Sequence, residues 1–109
     1  MSNVSRQRQT APVFAALGDV TRLELISRLS DGQSQSIVQL SDGLSLSRQG
    51  VTKHLAVLQN VGLVAAQRVG RECRYRIQPE PIADAQDYLA KASAQWDDAI
   101  VRLRAAVET

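Results

Sequence analysis

Six basic side chains, Arg48, Lys53, Arg68, Arg71, Arg74 and Arg76, fall between residues 47 and 76 against Glu72 alone, a local charge of +5. Residues 1–46 are balanced, and residues 81–109 carry a local −2. Positive charge gathered on one contiguous third of a chain points to a polyanionic partner rather than to a merely solvated face. The residue types suited to other chemistry are sparse. His54 is the sole histidine and Cys73 the sole cysteine. No nucleophile or carboxylate lies near His54 in the sequence, so a catalytic role has no local support, and a lone imidazole does not make a metal site. Cys73 has arginines close by that favour a thiolate, which opens a thiol-responsive alternative. Against it, its strand position faces inward and the chain holds no resolving cysteine. Phosphate loops, nucleophile–base pairs and metal-binding clusters are absent from the pattern, so an enzyme is not expected.

The basic residues need elements to position them. Ser47 is a good N-cap, and Val51, Leu55 and Leu58 after it are spaced four and three, the buried stripe of a helix ended by Gly62. The opposite face is centred on Gln49 and Lys53, with Gly50, Thr52 and Ala56 around it. Gln and Lys can bond base edges in a major groove, while Ser47, Arg48, Thr52 and His54 are placed better for phosphates. Before it come a helix over about Thr10–Ala16, one with Val20, Leu23, Ile26 and Leu29 on its apolar face, capped by Asp19 or Thr21, and a short one with Ile37 and Leu40. After Gly62 the period becomes alternating. Two strands, "LVAAQRV" and "ECRYRI", flank Gly70-Arg71, a two-residue hairpin turn. Cys73, Tyr75 and Ile77 share one face of the second strand, and Glu72, Arg74 and Arg76 the other. A hairpin with arginines to offer, directly after two helices joined by a tight turn, is a wing.

"QPEP" then breaks the chain before a long helix over about residues 81–107, whose apolar positions run from Ile82 to Val107 at alternating spacings of three and four. A domain of this size cannot bury that whole stripe, which predicts a second copy. Tyr88 and Trp96 on this helix are either packing or the lining of a small-molecule pocket. Residues 1–9 are polar and read as a flexible arm, leaving residues 10–109 as one domain. With no membrane-length apolar run and one cysteine, a cytoplasmic location is expected. The fold class is mainly α with a β-hairpin wing: a winged helix-turn-helix of five helices.

Three segments together resemble the ArsR-type family of winged helix-turn-helix repressors: "FAALGDVTRLELISRLSDG" at 14–32, "LSRQGVTKHLAVLQNVGLV" at 46–64 and "GRECRYRI" at 70–77. Val20 stands where that family usually has Pro, and Thr52 where it usually has Ser. The resemblance implies a homodimer pairing through first and last helices, an operator DNA partner, and release by an inducer. Many members of the family sense metals. Here Ser36 and Val38 occupy the two cysteine positions of the family's thiol site. The last helix offers Asp84, Asp87, Asp97 and Asp98 without histidine, a poor donor set for soft or borderline metals. The expected regulator is therefore free of metal, with an organic inducer, a thiol switch or no ligand as the open choices. A winged helix used for protein contacts is the remaining alternative.

Overall fold

Among the described residues, 3–108 with side chains from Thr10 onward, a computed structural model shows five helices and one three-stranded sheet. Their order is α1 (Asn3–Leu17), α2 (Val20–Leu29), β1 (Gln35–Ser36), α3 (Ile37–Ser41), α4 (Arg48–Asn60), β2 (Val64–Val69), β3 (Glu72–Ile77) and α5 (Pro79–Glu108). Of the expected arm, Met1 and Ser2 lie outside the described residues. From Asn3 the backbone is already helix, so α1 starts before the expected Thr10. Arg and Gln in that stretch are good helix formers without an apolar stripe, so periodicity alone leaves the first turns invisible.

Local chemistry explains the boundaries. The Asp19 carboxylate caps α2 by accepting from the Arg22 amide at 3.0 Å. Ser36 and Gln39 form a reciprocal capping box at the start of α3, which satisfies two otherwise orphaned amides. Gly62 closes α4 at φ 79°, a conformation that only glycine adopts cheaply. The "QPEP" stretch starts α5 at Pro79 rather than holding the chain open until Pro81, because proline is tolerated in a first helical turn.

The core joins Leu25 and Leu29 of α2, Leu40 of α3, the Val51–Leu55–Leu58 stripe of α4, Leu63 and Tyr75. The expected stripe of α2 is corrected by this packing. Leu25 and Leu29 are fully buried with Ile26 beside them, whereas Val20 is 84% exposed and Leu23 lies outside too. β3 is the central strand, with β2 on one side and the two-residue β1 on the other, both antiparallel. The Val69↔Glu72 pair brackets Gly70 and Arg71, as a two-residue hairpin requires. α5 packs on α1, and the molecule measures 68 × 33 × 21 Å.

Candidate nucleic-acid interface

The site is built on α4. The Ser47 hydroxyl accepts from the Gly50 amide at 3.1 Å, which fixes the first turn. With Val51, Leu55 and Leu58 fully buried, the helix can turn only one side outward. Gln49, Thr52, Lys53 and Ala56 occupy that side and are exposed, with Arg48 exposed beside them. Arg28 braces the helix-turn-helix turn by donating to the carbonyls of Leu40 and Asp42, and it pairs with Glu24 at 3.1 Å.

His54 is set against the start of α2. Its Nδ1 lies 3.2 Å from an Arg22 guanidinium nitrogen and 3.7 Å from the Asp19 carboxylate, while Arg22 Nε donates to the Ala16 carbonyl. In the neutral ring a nitrogen facing a guanidinium accepts, which puts the ring proton on Nε2 and leaves that edge a donor. The fold thus supplies the carboxylate neighbour that the sequence around His54 lacks. The cluster ties α1, α2 and α4 together; no nucleophile accompanies it among the described side chains that contact His54.

In the wing, Arg71 sits at the turn next to Gly70 (φ 63°), and Arg68, Arg71 and Arg76 are all exposed. The register puts these arginines on two faces. Arg68 pairs with Cys73 on the face that carries Tyr75, whereas Arg76 pairs with Ala65 on the other. Arg74 departs from the expected exposed row. Its guanidinium donates to Ser34 Oγ at 3.0 Å, to the Ser34 carbonyl at 2.7 Å and to Glu72 at 2.9 Å. It braces the α2–α3 connection against the wing instead of standing free for a phosphate. Thr52 also departs: its hydroxyl donates to the Arg48 carbonyl at 2.8 Å. The sequence signals for these braces are weak, because Asp19, Arg22, Arg28 and Ser34 meet partners distant in the chain.

A family described as a helix-turn-helix domain matches residues 17–66. The HTH-type transcriptional regulator CmtR of Mycobacterium tuberculosis is 34% identical over 104 residues, spanning 95% of this chain and 78% of its own. An ArsR-like transcriptional regulator from Rhodococcus sp. RHA1 superposes with a TM-score of 0.75 at 39% identity, over 89% of this chain and 91% of that one. The chain belongs to the ArsR-type family of winged helix-turn-helix transcriptional regulators. The family is one of regulators and not of enzymes. A further relative, from Streptomyces lividans, is named as a probable mercury resistance operon repressor and is 35% identical over 75 residues, 69% of this chain and 59% of its own.

Within the ArsR-type frame, the positions of interest for ligands are occupied as follows. Ser36 is the N-cap of α3 and Val38 is exposed. Among the described residues no three His, Cys, Asp or Glu side chains come together as a metal-holding group. Cys73 is half-buried against the core beside Tyr75. Burial first, and then the Cys73 thiol, push the Tyr75 phenol above its ordinary 10.0. Between α1 and α5 lies an open groove of about 290 Å³ lined by Thr10, Ala11, Phe14 and Tyr88. Phe14 and Tyr88 meet edge to face at 5.9 Å. Trp96, two turns further along, stands clear of it at 70% exposed. No described helix is long and apolar enough to cross a membrane.

Proposed function

We propose that the protein is a cytoplasmic, homodimeric, sequence-specific DNA-binding repressor that works without a metal. The exposed Gln49–Lys53 face of α4, backed by a fully buried stripe and flanked by exposed wing arginines, is the observation that carries the reading. Gln49 and Lys53 are assigned to base edges in the major groove. Arg48 is assigned to the DNA backbone. So are Ser47, whose hydroxyl still owns its proton while it caps α4, and His54, through its Nε2–H. Arg68, Arg71 and Arg76 are assigned to phosphates through the wing, and Arg74 to bracing it. The repressor reading is supported by the named relative from Streptomyces lividans. Metal-independence rests on the donor set: one histidine, one cysteine, and a serine and a valine where thiolates would be needed.

Fluorescence anisotropy with duplex from upstream of the gene, against a random duplex over a salt series, tests this reading. Selective binding with a steep salt slope is expected, since phosphate neutralisation releases counterions. Arg71→Ala should weaken binding to both duplexes and reduce the slope by about one, whereas Gln49→Ala should cost ~1–3 kcal/mol at one or two base positions. Equal losses on both duplexes for Gln49→Ala would remove it from base reading. Absence of binding at low salt would overturn the DNA assignment in favour of a protein partner. Added Zn²⁺ or arsenite should leave the affinity unchanged.

A further inference from the structure

The outward face of α4 carries apolar groups beside its hydrogen-bonding ones. Thr52 and Ala56 stand one turn apart on it, both exposed, alongside Gln49 and Lys53. The Thr52 hydroxyl donates to the Arg48 carbonyl. A hydroxyl has one proton, and phosphate oxygens only accept, so this bond leaves Thr52 nothing to donate to the DNA backbone. Threonine is branched at Cβ. With Oγ1 turned back to the preceding turn, Cγ2 is the γ atom left to meet a ligand. A serine here could make the same bond but would offer no methyl.

Thr52 Cγ2 and Ala56 Cβ therefore form a small methyl surface at the edge of the base-reading face. Among the base-edge groups of the major groove, the thymine C5-methyl is the apolar one. We propose that Thr52 and Ala56 read a thymine methyl next to the bases contacted by Gln49 and Lys53. The inference rests on α4 being a major-groove helix and refines it to a base preference at a set position. It also explains why a side chain with a hydroxyl sits on the reading face with that hydroxyl turned away.

The test begins with duplexes selected by the wild-type protein from a random library. Each thymine of a selected duplex is then replaced in turn by deoxyuridine, which removes the methyl and keeps the pairing edge. Anisotropy titrations at fixed salt should show about a fourfold loss at one thymine position in each half-site, the effect of exposing one buried methyl group. Thr52→Ser should shrink the preference for thymine there to the part that Ala56 contributes, while Thr52→Val should keep the full preference whatever its overall affinity. Wild-type indifference to every deoxyuridine would overturn the proposal. So would a preference lost in Thr52→Val and kept in Thr52→Ser, which would make the hydroxyl the reader. A library that yields no preferred sequence at all would overturn the major-groove reading itself, and that result is distinct from selection without methyl dependence.

Discussion

At the scale of single residues, the side chains that can be read from sequence are those whose exposure follows from period alone. Gln49 and Lys53 lie opposite a stripe spaced four and three, so no tertiary contact was needed to find them. Arg74 and His54 differ because their polar atoms are claimed by partners that no local pattern announces, whereas Thr52 bonds the carbonyl one turn back on its own helix. For Arg74 the partner is Ser34, forty positions away. Asp19 illustrates how such a contact acts. The Arg22 amide bonded to its carboxylate, helped by the charges of Arg22 and His54, holds it below its ordinary 3.8 despite some opposing desolvation. A carboxyl whose value is lower in the fold than in the unfolded chain stabilises above the unfolded value. That contribution fades as pH falls through the folded value. Asn also caps helices well but cannot titrate. Urea melts of wild type and Asp19→Asn between about pH 5 and pH 3 should therefore converge as acid removes the wild-type advantage. Curves that stay parallel would show that Asp19 does not titrate with unfolding.

At the scale of elements, capping and stop signals located the helices, and Gly70-Arg71 located the hairpin. The buried side of α2 was less legible for a geometric reason. Residues spaced by three drift about 60° per step around a helix, so Val20 and Leu29 end on opposite sides and cannot share one face. The packing keeps the half that reaches α4 and leaves Val20 in solvent. β1 was missed because two residues carry no period, and its pairing depends on β3 lying beside it. Arg74 links that short strand's connection to the wing, which gives the element a testable role. Arg74→Ala should speed amide exchange across Ser34–Ser36 and weaken DNA binding by loosening the wing. Its salt slope should stay at the wild-type value, in contrast to Arg71→Ala. A slope lowered as much as by Arg71→Ala would return Arg74 to the phosphate contacts.

At the scale of the whole molecule, α5 sets the question. Its 30 residues span about 45 Å. Ala85 is its one buried position among the described residues, while Trp96, Ile100, Leu103 and Val107 remain exposed. Exposed apolar side chains repeating over several turns cost solubility unless another surface covers them, and a two-fold copy offers the same stripe in return. Such a pairing would also serve the DNA reading, because two α4 helices related by a two-fold axis would meet half-sites about one helical turn apart. Ile100→Glu with Leu103→Glu should leave the fold intact, since neither side chain joins the core of one chain. Sedimentation should then report a species of 11.9 kDa where the wild type has twice that mass. On a palindromic duplex the variant should fall to the affinity of a single half-site, because the second recognition helix no longer arrives at high local concentration. A variant that remains a dimer would move the interface off this stripe, and a wild type that sediments as one chain would leave each α4 to read DNA alone.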